Sequence, residues 1–162
     1  MPINRHGFDR GSRLVEWWKR LTGSANGADA VDYYQEGLDL QAEGHHHEAL
    51  TSFRLALKES PGDALVLQQI AVSYTRIGMS DEAIKTYRHV IDKDPMQPGA
   101  HYGLAFLLIR RGHDEEAVPH LKGFLRTARS GPEADDHLAH ARGTLADIQQ
   151  RIGARSSATQ SA

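Results

Sequence analysis

The chain lacks cysteine, long apolar runs and an excess of basic residues. The absence of cysteine in 162 residues excludes disulfide scaffolds, thiolate zinc sites and cysteine catalysis. No apolar run approaches the ~20 residues of a membrane-spanning helix. The sequence lacks a charged start followed by an apolar stretch, so we predict no secretory signal. The formal net charge of −2 argues against general nucleic-acid binding. We therefore expect a cytoplasmic protein.

The charge is unevenly distributed along the chain. Residues 1–25 contain five basic and two acidic residues, a net charge of +3, whereas residues 26–132 carry −4. A linker is predicted at residues 26–29. Aromatic residues are scarce at 7%, yet the only two tryptophans, Trp17 and Trp18, are adjacent. The basic segment is therefore expected to have a role separate from that of the acidic body.

The basic segment 1–25 is predicted to contain a short amphipathic helix. Its apolar stripe is too large to remain bare on a solvated helix. It could be buried on the rest of the chain, in a partner protein, or on an anionic membrane surface, where tryptophan and basic residues favour the interface. The predicted contact residues are Arg13, Leu14, Trp17, Trp18, Lys19, Arg20 and Leu21.

The body of the chain is internally repeated. Glycines recur at intervals of 34 residues, and alanine, aliphatic, aromatic and proline positions keep the same interval. The residues concerned are Gly44, Gly78 and Gly112; Ala49, Ala83 and Ala117; Leu40, Tyr74 and Leu108; Phe53, Tyr87 and Leu121; and Pro61 and Pro95. A period of 34 is typical of helix-turn-helix arrays.

Each repeat is predicted to contain two amphipathic helices. Apolar residues fall at helical spacing before and after each glycine, which should end the first helix in a left-handed conformation. We expect Ser80 and Asp114 to cap second helices and Asp63 to cap the helix that follows Pro61. The predicted helices are 30–43, 46–59, 64–77, 80–93, 98–111 and 114–128.

This pattern resembles the tetratricopeptide repeat family. The middle repeat carries the consensus classes at Leu67, Ile70, Ala71, Tyr74, Gly78, Ala83, Tyr87 and Pro95. The resemblance implies an all-α, right-handed helix-turn-helix solenoid of three repeats, at 30–63, 64–97 and 98–129. Three residues depart from it: Glu36, for which we expect a solvated environment, His101 in place of a large hydrophobe, and Arg129 in place of the closing proline.

A capping helix is predicted at residues 132–153, because a terminal repeat needs a cover with one polar face. Gly153 is expected to end this helix. His137 and His140 are assigned to the polar face, since two histidines without a further convergent ligand rarely bind metal. Residues 154–162 are predicted to be a disordered tail.

The resemblance also implies that the first helix of each repeat lines a concave groove that binds a peptide. Apolar, aromatic and arginine side chains suit a peptide with hydrophobic anchors. The predicted groove residues are Tyr34, Leu38, Gln41, Gln69, Val72, Arg76, Tyr102, Phe106 and Arg110. The lysine, asparagine and arginine clamp that some relatives use for a C-terminal carboxylate is absent from the matching positions.

No nucleophile and base pair, phosphate loop or convergent metal ligands are apparent, so we predict no enzyme activity, no cofactor and no metal. The leading prediction is a protein-binding adaptor that holds a partner peptide in its groove and makes a second contact through the N-terminal helix. One alternative is a peripheral accessory or assembly subunit of a membrane-bound complex, at the inner face of the membrane. Another is a chaperone similar to the class II chaperones of type III secretion. Self-association is a further possibility.

Overall fold

The computed structural model describes residues 31–132 and 134–160, with side chains described as far as residue 158. The predicted N-terminal helix and linker lie outside this range. Every regular element in the described residues is an α-helix. They are α1 (Tyr33–Ala42), α2 (His46–Glu59), α3 (Ala64–Arg76), α4 (Ser80–Lys93), α5 (Pro98–Arg110), α6 (Asp114–Thr127) and α7 (Asp135–Gln160).

The turns inside the repeats have the predicted left-handed glycines. Gly44, Gly78 and Gly112 have φ values of 83°, 85° and 77°. A side chain is strained at such values, so glycine closes these turns at the least cost. Asp63 caps α3 as predicted, because its carboxylate accepts hydrogen bonds from the amides of Leu65 and Val66.

The predicted caps of the second helices are wrong by one residue. Met79 and His113 occupy the cap positions of α4 and α6, and neither side chain makes a capping hydrogen bond. Ser80 and Asp114 are instead the first residues of those helices. Acidic side chains in the first turn still favour the positive end of the helix dipole, which is why the sequence pattern suggested capping.

Three apolar clusters follow one another along the array. The first joins α1, α2 and α3 around Phe53, and the second joins α3 to α6 around Leu104 and Leu108. The third joins α5, α6 and α7 around Leu121 and Ile148. Each helix therefore packs mainly on its neighbours in sequence, as expected of a solenoid.

Close helix packing depends on glycines at several crossings. A Cβ atom at Gly103 on α5 would lie 2.6 Å from the hydroxyl of Tyr87 on α4. The Tyr87 side chain is 3% exposed, and burial raises the pKa of its hydroxyl. Only a residue without a side chain fits between this ring and α5.

Polar side chains tie neighbouring repeats together at the edges of the apolar clusters. Arg54 on α2 donates a hydrogen bond to the hydroxyl of Tyr74 on α3 at 2.7 Å. Arg111 pairs with Asp81, and its guanidinium lowers the pKa of that carboxyl. Arg88 on α4 pairs in the same way with Glu116 on α6. Each tie joins adjacent repeats.

The capping helix differs from its prediction at both ends. It begins at Asp135 rather than 132 and continues to Gln160, through the predicted disordered tail. Gly153 is not among the left-handed glycines, so it does not end the helix. The hydroxyls of Ser156 and Ser157 donate to backbone carbonyls one turn earlier, which satisfies them within the helix.

None of the described helices, α7 included, combines the length and the apolar character needed to cross a membrane.

Candidate functional site

The predicted groove residues all lie on the first helices of the three repeats, α1, α3 and α5. We call their combined surface the inner face. Most of its side chains are partly buried, whereas the two arginines are exposed. Its members are Tyr34, Leu38, Gln41, Gln69, Val72, Arg76, Tyr102, Phe106 and Arg110.

At the N-terminal end of the inner face, apolar side chains lean on the first cluster. The Tyr34 ring lies 5.9 Å from the Phe53 ring, measured between centroids, and Leu38 packs on the same cluster. Both remain half-exposed. They therefore offer apolar surface to a ligand from rigid positions.

Glu36, on α1, does not have the solvated environment predicted for it. Its carboxylate accepts a hydrogen bond at 3.0 Å from the hydroxyl of Ser52 on α2. Ser52 is fully buried, so the carboxylate satisfies a hydroxyl that water cannot reach. The residue that departs from the repeat consensus is thus a polar link within the first repeat.

In the middle of the inner face, side chains join one repeat to the next. The amide of Gln41 on α1 lies 3.5 Å from the hydroxyl of Ser73 on α3. The helices α3 and α5 touch directly, and Gln68 packs against Gly99 at this contact. The three first helices therefore form one continuous surface.

At the C-terminal end, the inner face meets α7. The Tyr102 hydroxyl lies 3.2 Å from Nδ1 of His137 and 3.0 Å from Nδ1 of His140. With one hydrogen to give, the hydroxyl donates to one imidazole and accepts from the other. Phe106 stacks on His140 with 4.7 Å between ring centroids.

The assignment of His137 and His140 to a solvated polar face is therefore incomplete. Both are exposed, but each also contacts Tyr102 on α5. Their spacing of three residues places them on one side of α7, but no pattern in the sequence indicates which residues they face. Tyr102 and Phe106 are consequently shared between the inner face and the junction with α7.

Arg76 and Arg110 occupy equivalent positions, 34 residues apart, in the last turns of α3 and α5. Both are exposed. Within residues 31–132 and 134–158, no carboxylate lies in ion-pair distance of either. The edge of the inner face at the C-terminal ends of α3 and α5 therefore carries two exposed positive charges.

The third repeat holds a pair of histidines, one buried and one partly buried, that the sequence pattern does not predict. His101 on α5 is 6% exposed, and its Nδ1 lies 3.4 Å from Nδ1 of His120 on α6. His101 Nε2 lies 3.0 Å from the carbonyl of Pro95, which can only accept, so this nitrogen carries the hydrogen. Nδ1 of His101 then accepts from His120. Burial, followed by the charge of His101, lowers the pKa of His120 from 6.5.

The replacement of a large hydrophobe by His101 has a steric counterpart. Gly123 on α6 lies against the imidazole, and a Cβ atom there would be 2.7 Å from Nδ1 of His101. The pairing of an unusual histidine with a glycine 22 residues later could have been noticed in the sequence, but nothing in a single sequence shows that the two positions meet.

The histidine run His45, His46 and His47 lies at the start of α2, and His45 is its cap residue. Among the described residues, no three histidine, aspartate or glutamate side chains converge as metal ligands would. The predicted contact residues of the N-terminal helix, from Arg13 to Leu21, lie outside the described part of the chain.

Comparison with known proteins identifies the repeats. Residues 65–95, the middle helix pair, match the profile of the tetratricopeptide repeat family. This helix pair is a tetratricopeptide repeat. The tetratricopeptide repeat solenoid predicted from the sequence is confirmed by the fold of solved relatives, including the tetratricopeptide repeat domain of P58(IPK). That domain superposes with a TM-score of 0.71 at 23% identity, over 79% of this chain and 34% of the other.

Further likenesses are to an assembly protein and a chaperone. Over 101 residues the chain is 33% identical to the photosystem I assembly protein Ycf3 of Synechococcus sp. strain WH7803, covering 60% of this chain and 58% of that protein. The chain thus spans little more than half the length of this relative. The Yersinia enterocolitica type III secretion translocator chaperone SycD has the same fold, with a TM-score of 0.68 at 18% identity over 81% of this chain and 97% of the other.

Proposed function

We propose that this tetratricopeptide repeat protein is a non-catalytic adaptor whose inner face binds a peptide segment of a partner protein. The observation that carries the proposal is the composition of equivalent positions on the three first helices. Leu38, Val72 and Phe106 form one such row, and each remains partly exposed while its base packs on a core cluster. Rigid, half-exposed apolar side chains in a row suit the anchors of a bound peptide.

Solved relatives give this proposal a precedent. The same fold has been solved with a peptide of the translocator YopD bound to SycD, and in a pHsp70 complex of the TPR2B domain of yeast Sti1. These likenesses, at 18% identity, support the fold and leave the ligand open. The chaperone function considered from the sequence therefore gains a shared fold and no further support.

A direct test is affinity purification of the full chain from cells that produce it, followed by mass spectrometry. The inner-face variant Leu38→Gln/Val72→Gln is compared with Met96→Gln, because Met96 is 62% exposed in the turn between α4 and α5 and is not one of the inner-face residues. We expect a partner recovered in near-stoichiometric amount with wild type and Met96→Gln, and lost with the inner-face variant. Circular dichroism confirms that each variant is folded. Equal recovery with all three would refute binding at the inner face.

The second candidate function is assembly of a membrane-bound complex, with the chain attached peripherally. It is favoured by the identity of 33% to a photosystem I assembly protein, which is stronger than the identities to the solved chaperones. It also gives a role to the basic segment with Trp17 and Trp18, which the repeat consensus does not require. In this proposal the N-terminal helix makes the second contact, on the membrane or on a subunit.

Liposome co-sedimentation separates the two sites of contact. Wild type and Trp17→Ser/Trp18→Ser are mixed with vesicles containing anionic lipid and with neutral vesicles. Sedimentation of wild type with anionic vesicles alone, lost in the variant, supports the membrane contact. If neither protein sediments, the contact is with protein, and the purified partner from the affinity experiment should then be lost in the same variant.

A further inference from the structure

The two inner-face arginines differ from the arginines that tie the repeats together. Arg54, Arg88 and Arg111 each have a partner in a neighbouring repeat. Arg76 and Arg110 have no carboxylate partner among the described residues, although Arg111, next in sequence to Arg110, has one. Among the described residues, acidic side chains therefore pair with arginines at the edges of the repeats and not with the two arginines of the inner face.

The position of each arginine along its helix is the same. Arg76 lies one turn beyond Val72 on α3, and Arg110 lies one turn beyond Phe106 on α5. A helix dipole accounts for a basic residue in the last turn, and Lys58 and Lys93 occur at the ends of α2 and α4 for that reason. The dipole does not account for an arginine placed beside a half-exposed apolar residue on both of two touching helices.

We propose that the segment bound on the inner face is acidic, with a carboxylate held by Arg76 and Arg110 beside an apolar anchor that contacts Val72 and Phe106. This inference rests on the proposed function and names the chemistry of the partner. Planar guanidinium groups bind carboxylates through paired hydrogen bonds. α3 and α5 touch, and the two arginines occupy equivalent positions at the last residue of each helix.

The arrangement differs in the first repeat. The position equivalent to Arg76 is Ala42, at the end of α1, so the positive edge is confined to the second and third repeats. Tyr34 and Leu38 supply apolar contacts at the other end of the inner face. A bound segment is therefore expected to run with its acidic part over α3 and α5 and an apolar part over α1.

The test uses a phage-displayed library of random peptides selected on the immobilised full chain. Peptides selected on wild type should be enriched in Asp or Glu near an aromatic or aliphatic residue. For the best synthetic peptide, we expect Arg76→Gln or Arg110→Gln alone to weaken binding by about two- to fivefold, the range of exposed ion pairs. Together they should weaken it by about tenfold, and the loss in wild type should grow with added salt.

Two further variants make the result specific. Arg126→Gln/Arg129→Gln removes two exposed arginines outside α3 and α5 and should leave the affinity unchanged. Arg76→Glu/Arg110→Glu should select peptides enriched in Lys or Arg. An affinity within twofold of wild type for Arg76→Gln/Arg110→Gln, or no acidic enrichment, overturns the proposed chemistry.

The binding site of the selected peptide is mapped separately, so that the two proposals can fail independently. A benzophenone-labelled form of the peptide is cross-linked to the full chain, and the adducts are located by mass spectrometry. Adducts on α1, α3 or α5 without an arginine effect overturn the acidic ligand and leave inner-face binding intact. Adducts confined to other helices overturn both. A dimer of the chain that dissociates in Arg76→Gln/Arg110→Gln would identify a second copy as the occupant and refute an acidic partner.

Discussion

The Asp114 carboxylate, at the start of α6, lies 3.3 Å from the guanidinium of Arg151, on the C-terminal half of α7. The Asp114 side chain is 5% exposed, whereas that of Arg151 is 51% exposed. A buried carboxylate loses its hydration, and Arg151 supplies the compensating charge. This pair fastens the long capping helix to the third repeat beyond its apolar contacts.

We predict that Arg151→Ala destabilises the chain by about 1–2 kcal/mol, less than the ~3–5 kcal/mol of a fully buried pair, because Arg151 is half-exposed. The measurement is the free energy of unfolding in urea, followed by circular dichroism. Arg142→Ala, which removes an exposed arginine from the same helix, is the matched control and should change the free energy by less than about 0.5 kcal/mol. Equal effects of the two variants would contradict a role for the pair.

The second prediction compares a glycine in a tight contact between two helices with a glycine that has open space around it. A Cβ atom at Gly103 would meet the buried Tyr87, whereas a Cβ atom at Gly143 on α7 would meet nothing within 4 Å. Gly103→Ala should therefore destabilise by about 1–3 kcal/mol through overpacking. Gly143→Ala should stabilise by about 0.5–1 kcal/mol, since alanine is the better helix former.

Both changes make the same substitution in a helix, so thermal unfolding of the two variants compares packing directly. A rise in melting temperature for Gly103→Ala would show that α4 and α5 can separate without cost. That result would be incompatible with the tight contact at Tyr87.

The third prediction is a loss of stability in mild acid that depends on His120. Its pKa in the folded chain is lowered from 6.5, first by burial and then by the charge of His101. Arg88 on α4 lowers it further, and Glu116 on α6 opposes the shift. The unfolded chain therefore binds a proton more readily, so stability is complete above pH 6.5 and falls as the pH drops below that value.

The measurement is the melting temperature of wild type and His120→Asn between about pH 7.5 and pH 5. We expect the wild type to lose more stability over this window than the variant. Groups far from residue 120 are the same in both proteins, so the difference between the two slopes reports His120 together with its contact with His101. Parallel slopes would mean that the surroundings of His120 do not lower its pKa in the folded chain.

The fourth prediction concerns the hydroxyl of Tyr102. Tyr102→Phe keeps the ring contacts with Phe106 and Phe124 and removes the hydrogen bonds to His137 and His140. We expect a loss of about 0.5–1.5 kcal/mol, the net contribution of a hydrogen bond. Hydrogen exchange should become faster in the first turns of α7 while remaining unchanged in α2. Unchanged exchange in α7 would show that the imidazoles do not hold that helix.

The helices of the repeats could be predicted to within a few residues because their signals are local and redundant. Turn glycines such as Gly78 and an apolar period of 3–4 residues recur every 34 positions, so errors at one repeat are corrected by the next. The end of α7 lacked such support. Gly153 was expected to end the helix. A single glycine is tolerated inside a helix, however, when neighbouring residues such as Ile152 pack against a core.

The side-chain pairs were less predictable, because they join residues that the sequence separates. Asp114 and Arg151 are 37 residues apart, and His101 meets His120 only because α5 and α6 cross at that level. The sequence identified the acidic first turn and the unusual histidine without their partners. Candidate inner-face residues were easier, since equivalent positions of a repeat lie on one surface by geometry alone.

Gly99 lies where α3 and α5 meet, in contact with the side chain of Gln68. Its missing side chain lets Gln68 fit between the two helices, and a Cβ atom there would lie 2.8 Å from the Gln68 amide nitrogen. A larger residue at position 99 would displace the end of the flexible Gln68 side chain from this contact. The absence of a side chain at residue 99 therefore decides where the Gln68 amide lies at the junction of the second and third repeats.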